Sequence, residues 1–194
     1  MTEPDALVAL KQIAGDLSAL GKPFCVVGGL GVSVRGEVRF TRDVDVAVHV
    51  DGDAEVESLV RDLRSRRYDV VALVEHDETA RLATVRLRSP SGVTVDLLTA
   101  SSGIEPEIVA RATAVEIPGV GSVPVAQAEE LLAMKVLSME ERRPQDRIDA
   151  TKLLELNVTM DLEQVRADLR LIESRGFHRK QDLSGKLEGL LLAR

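Results

Sequence analysis

The sequence predicts an α/β fold in which a mixed β-sheet with flanking helices is followed by a C-terminal helical region. Three observations lead there. Short β-branched runs alternate with helical stripes as far as residue 125. Two of those runs, 81–88 and 93–98, are joined by Ser89-Pro90-Ser91-Gly92, a turn by composition that makes them an antiparallel hairpin. From Ala126 onward only the helical period persists.

Taken in order, the first 23 residues read as a helix opened by Thr2, with Pro4 and acids in its first turn, and closed at Gly21-Lys22-Pro23. Phe24 to Val27 is a short apolar strand ending in Gly28-Gly29, and the stretch to Arg35 suits one or two helical turns closed by Gly36. Val44 to Val50 reads as a strand. Residues 53–67 carry the stripe Val56, Leu59, Val60, Leu63 and read as a helix. Strands follow at 68–74, 81–88 and 93–98, and 115–125 reads as a small β-turn-β element with Pro118, Gly119, Gly121 and Pro124. Helices are expected near 126–140, 145–156, 161–174 and 182–193. The chain therefore divides into an α/β core, 1–125, and a helical region, 126–194, packed on or beside it.

Composition narrows the function. A chain of 194 residues with 44% hydrophobic and 29% charged residues is an ordinary globular protein and has room for one such core, not for two enzymes. The longest uncharged apolar stretch, Phe24 to Val34, is broken by glycines and falls short of the roughly 20 residues a membrane span needs, so no membrane partner is expected. The acidic start and the single cysteine point to the cytoplasm, with Cys25 a core residue. Net charge of −7 repels nucleic acid overall, so any polyanion must be met locally. Aromatics at 2% leave no base-stacking platform, and His49, His76 and His178 lack zinc-ligand spacing.

Chemistry concentrates in a few short motifs. In Asp43-Val44-Asp45-Val46 the strand period puts both carboxylates on one face and both valines on the other. Side by side, the acids repel unless solvent or a cation screens them; they are either a solvated strand face or hard oxygen ligands for a divalent cation. Gly28-Gly29, at a strand end opening a helical turn, is either a tight turn or a cradle of bare N–H groups for phosphate, with Ser33 adding a hydroxyl. The dinucleotide, P-loop and nucleophile-elbow patterns all fail here. Asp96 is the one acid in the run 93–98, and a buried carboxylate there needs a cation, a donor or water. Lys135 lies among Leu131, Leu132, Val136 and Met139, so its ammonium reaches a cleft or a rim. Asp146 and Asp149, one helical turn apart after Pro144, either face inward or complement the helix dipole. Arg35, Arg39 and Arg42, Arg142, Arg143 and Arg147, and the patch Arg175, His178, Arg179 and Lys180 are solvated surface or a local positive rim for phosphates.

Together Val26-Val27-Gly28-Gly29, a 13-residue spacer, Asp43-Val44-Asp45-Val46 and the later Asp96 strand resemble the DNA-polymerase-β-type nucleotidyltransferase superfamily. Arg39-Phe40-Thr41-Arg42 and the segment from Lys135 to Asp149 resemble its AbiEii-like branch, which includes the MenT-type toxins. The resemblance implies a nucleotidyltransferase fold and transfer of NMP from an NTP to an acceptor hydroxyl. It implies Mg²⁺, with Mn²⁺ the alternative, held by Asp43, Asp45 and Asp96. Asp96 would lie nearest the acceptor. Gly28, Gly29, Ser33 and Lys135 would contact the triphosphate, with Asp146 a further catalytic candidate. Gln145 departs from the branch, where a Lys-Asp pair is usual. By the same resemblance the acceptor is the 3′ end of tRNA and the protein is the toxin of a toxin-antitoxin pair with a cognate antitoxin. The alternatives are a small-molecule or protein nucleotidyltransferase, and an inactive binding subunit on the same fold.

Overall fold

The structure, a computed structural model, describes residues 5–37 and 41–193. Helix α1 (Ala6–Ala19) opens on Asp5, whose carboxylate accepts the Leu7 N–H. The expected opening residues Thr2 and Pro4 lie outside the described residues, as do Arg39 and Phe40. Strand β1 (Phe24–Val26) leads into α2 (Gly28–Arg35), then β2 (Val44–Val48), α3 (Asp53–Ser65), β3 (Asp69–Glu75), β4 (Leu82–Arg88) and β5 (Thr94–Leu98). Helix α4 (Glu105–Arg111), strands β6 (Thr113–Ile117) and β7 (Gly121–Val125), and helices α5 (Ala128–Ser138), α6 (Pro144–Leu156), α7 (Leu162–Ser174) and α8 (Leu183–Leu192) complete the order.

Seven strands form one sheet in the order β3-β4-β5-β2-β1-β7-β6. The pairs β2–β5 and β1–β7 are parallel and the rest antiparallel, the mixed sheet expected. Period-2 alternation sorts the side chains into two cores. Val44, Val46, Val48, Val95 and Leu97 face α1 and α3, where Leu10, Leu17, Leu59 and Leu63 are fully buried. Cys25, Val27 and Ala47 face the other way, into a cluster with Ile108 of α4, Leu132 of α5, Leu153 of α6, Leu169 of α7 and Leu187 of α8. Every acid on the second face of β2 and β5 is therefore turned toward the C-terminal helices.

Two polar joints tie elements together around this second core. Arg35, expected as solvated surface or rim charge, instead staples α2 to the end of β7: Nε donates to the Ala126 carbonyl and Nη2 to the Val125 carbonyl. Arg111 of α4 reaches both Glu130 of α5 (2.5 Å) and Asp168 of α7 (2.7 Å), two buried carboxylates on separate helices.

Helix α4 was not expected from the sequence. It has seven residues, Pro106 sits in its first turn, and too few apolar positions show a period. Its start is fixed by the Glu105 carboxylate, which accepts the N–H groups of Ser101, Ser102 and Gly103 and the Ser102 hydroxyl. That turn also receives the segment between α7 and α8. Gly103 has φ +76, and a Cβ there would stand 2.3 Å from the Phe177 ring. Gly103→Ala is therefore expected to cost about 1–3 kcal/mol, through a left-handed alanine and a displaced ring; urea unfolding measures it, and an unchanged midpoint contradicts this seating.

Candidate active site

Strand register builds the site. In the parallel β2–β5 pair Asp45 stands beside Asp96, and in the antiparallel β4–β5 pair Asp96 stands beside Arg86. Three neighbouring strands thus present Asp45, Asp96 and Arg86 as one row. The Arg86 guanidinium grips Asp96 at both oxygens, Nε to Oδ1 at 2.9 Å and Nη2 to Oδ2 at 2.7 Å. Asp96 is buried, so this fork supplies the cation its position demands.

Asp45 has no such fork. Burial, then the Asp96 charge, push its carboxyl up to about 6, with Asp43 adding repulsion and Lys135 and the Gly29 N–H opposing it. Asp43, exposed on the bend ahead of β2, is close enough to add to that field. Gly28 backs directly onto Asp45: its φ is +58, and a Cβ would fall 1.9 Å from Asp45 Oδ2. The first turn of α2 is therefore moulded around this carboxylate.

Lys135 arrives from α5 and is 8% exposed. Its ammonium donates to Asp146 Oδ1 (2.7 Å) and lies 2.8 Å from Asp149 Oδ2. Both acids of α6 face inward and share this one lysine. Gln145 donates to the other oxygen of Asp149, and Arg143 Nε lies 2.8 Å from Asp146 Oδ2.

These groups line one cleft of about 300 Å³ between the sheet and the C-terminal helices. Gly28, Asp45, Asp96, Lys135 and Asp146 are in its wall, with Arg86, Arg143 and Arg179. Asp43 stands outside the wall. Ser33 is not brought to the cleft; its hydroxyl donates to the Gly29 carbonyl one turn back. Among the described residues no three His, Cys, Asp or Glu side chains form a preassembled metal cluster; both oxygens of Asp96 are taken by Arg86. Sequence reasoning missed two cations. Arg86 was legible, since a hairpin pairing residue 88 with 94 must pair 86 with 96. Arg179 sat in a basic patch with nothing to direct it inward.

Two predictions follow from the charges. The folded protein holds a proton on Asp45 at pH values where the unfolded chain, with an ordinary value of 3.8, has lost it. Stability therefore falls as pH rises from about 4 to about 6, and the cost is complete above that window. Asp45→Asn should melt higher than the parent at pH 7.5, by roughly 2–4 °C per kcal/mol relieved, and the gap should close by about pH 4; a lower melting point at pH 7.5 refutes it. Lys135→Ala removes the cation that two buried carboxylates share and should lose about 3–5 kcal/mol, partly restored by adding Asp149→Asn, as read by chemical denaturation.

Comparison with known proteins identifies the family of the chain. The family model "Nucleotidyl transferase AbiEii toxin, Type IV TA system" matches residues 12–191. A search of curated proteins finds no match. Among solved structures, an antigenic nucleotidyltransferase-like protein from Paracoccidioides brasiliensis is 20% identical, covering 97% of this chain and 94% of that one, with a TM-score of 0.54. The antibiotic-resistance factor ANT(2'')-Ia is 12% identical over 90% of this chain and 94% of its own, with a TM-score of 0.55. Both likenesses establish the nucleotidyltransferase fold, and with nearly its whole length matched, the chain belongs to the AbiEii family of nucleotidyl transferase toxins.

Proposed function

We propose that this nucleotidyltransferase moves NMP from an NTP to the 3′-terminal hydroxyl of tRNA, as the toxin of a toxin-antitoxin pair acting in the cytoplasm. Two regions cooperate in this reading: residues 1–125 supply the carboxylates and the glycine corner, and residues 126–194 supply Lys135 and the cations around it. The observation that carries it is the row Asp45–Asp96 beside Gly28, in a chain of this family.

The donor set suits a divalent cation. Asp43, Asp45 and Asp96 press on one another, and Lys135 is already shared between Asp146 and Asp149. The three aspartates are hard oxygen donors, the kind such an ion takes. Asp43, Asp45 and Asp96 would hold Mg²⁺ or Mn²⁺, which stabilises charge on phosphoryl oxygens. The Arg86 fork holds the Asp96 carboxylate aligned in the row. Asp96, farther from the glycine corner, takes the proton of the acceptor hydroxyl as its oxygen bonds to the α-phosphorus and the bond to pyrophosphate breaks. Gly28 and Gly29 face the triphosphate with bare backbone, and Lys135, held by α6, offers its charge from the opposite wall.

Incubation with α-labelled NTPs, Mg²⁺ and total tRNA should place label on tRNA, and Asp45→Asn or Asp96→Asn should reduce it on the order of 10²–10³-fold. Label on protein or on a small acceptor with none on tRNA refutes the acceptor. No transfer to any acceptor refutes the reaction.

A further inference from the structure

The segment joining α7 to α8 is strained where it meets the cleft. Arg179 and Lys180 both adopt left-handed backbone, φ +53 and +56, a conformation that is unfavourable for a non-glycine residue. The segment is nonetheless held firmly. Phe177 sits over Gly103 and against His76, with ring centroids 4.5 Å apart, and Arg175 ties the end of α7 to Glu107 at 2.7 Å. The result is that Arg179 is directed into the protein, where Nη2 donates to the Ser101 carbonyl at 3.2 Å.

No carboxylate among the described residues pairs with Arg179, in contrast to Arg86, Arg111, Arg143 and Arg175, each of which has one. Burial pulls its guanidinium below the ordinary value and Arg143 adds repulsion, while Glu140, Glu105 and Asp77 act the other way from beyond ion-pair distance. A guanidinium keeps its charge through such a shift, so the position is a partly desolvated cation on the cleft wall.

Arg179 borders three cavities. It lines the catalytic cleft, a groove of about 1240 Å³ between the start of α6 and α8, and a pocket of about 410 Å³ at the tip of the β3–β4 hairpin. The hairpin pocket adds Lys180 but also Glu75, Asp77 and Glu78, so acids dominate it. The groove adds Arg142, Arg147 and Lys186 and an equal number of acids, Glu140, Glu141 and Asp182, so with Arg179 its wall carries one more cation than acid. On the catalytic side Arg179 shares the wall with Thr84, Arg86 and Ser101, on the β4 and β5 side of Asp45 and opposite the glycine corner.

We propose that Arg179 binds a backbone phosphate of the acceptor strand where that strand passes from the α6–α8 groove into the catalytic cleft, positioning its terminal hydroxyl beside Asp96. The proposal rests on the RNA-acceptor reading above and adds the residue and the route. A phosphate there completes the unpaired guanidinium, and its neighbour on the strand lies in the groove beside Arg142 and Arg147. The nucleotide's own phosphates belong to the opposite side of the cleft.

The test is steady-state transfer of labelled NMP to total tRNA by the full chain. Arg179→Gln retains a donor for the Ser101 carbonyl but loses the charge. It should raise KM for tRNA about 10- to 100-fold, with KM for NTP unchanged and thermal stability preserved. Arg179→Lys should recover part of the loss, and the salt dependence of tRNA binding should fall by about one phosphate contact in the Gln variant. A second arm uses the unmodified enzyme and an oligonucleotide acceptor with uncharged methylphosphonate linkages next to its 3′ end. That substrate should lose transfer as the Gln variant does, and the variant should lose nothing more on it. An unchanged KM for tRNA, an equal loss of NTP affinity, or indifference of the parent enzyme to the neutral linkages each overturns the assignment of Arg179 while leaving tRNA transfer standing. Failure of the parent enzyme to label RNA at all overturns both.

Discussion

One constraint governs this molecule: pairing β2 with β5 in parallel register sets Asp45 beside Asp96 on a face turned toward other helices. Neighbouring strands lie about 4.8 Å apart, and two unit charges at that spacing repel by about 3 kcal/mol at an effective dielectric near 20. Neither acid can escape, because the opposite face of both strands is core, with Val44, Val46, Val95 and Leu97 fully buried. The hydrophobic pattern that folds the sheet is the same pattern that forces the carboxylates together.

Much of the surrounding structure is a response to that charge. Arg86 closes on Asp96 from the next strand, the Gly29 N–H opposes the charge of Asp45, and Gly28 leaves room for its oxygen. Lys135 adds a field from across the cleft and is itself held by two acids of α6. The compensation stays incomplete at Asp45. That deficit comes at the expense of folding stability above about pH 6.

The layout of the fold was legible in the sequence because its elements are locally consistent. The alternation in Asp43-Val44-Asp45-Val46, the turn Ser89-Pro90-Ser91-Gly92 and the helical stripes after Ala126 each correspond to structure. Helix α4 was not, since its start depends on Glu105 collecting amides from a turn and not on any period. In the site, Gly28, Asp45, Asp96, Lys135 and Asp146 were picked by residue type and spacing, and the structure sets all five around one cleft. Lys135 read as a lone cation reaching for a cleft; that two acids hold it requires α6 to cross α5, which spacing cannot show. Ser33 and Arg35 looked alike in sequence to groups that serve the site, yet each is bound to backbone elsewhere. Arg179 depends on a left-handed turn late in the chain, and no local pattern announces one.

The crowding of carboxylates on this face is tested most directly by carboxyl ¹³C NMR titration of the aspartates in the intact protein. Asp45 should titrate near 6, far above an ordinary aspartate at 3.8, and should return toward the ordinary range when Mg²⁺ is added. An Asp45 that titrates near 4 with or without the ion would mean that its neighbours do not press on it, and the account of the site would fail.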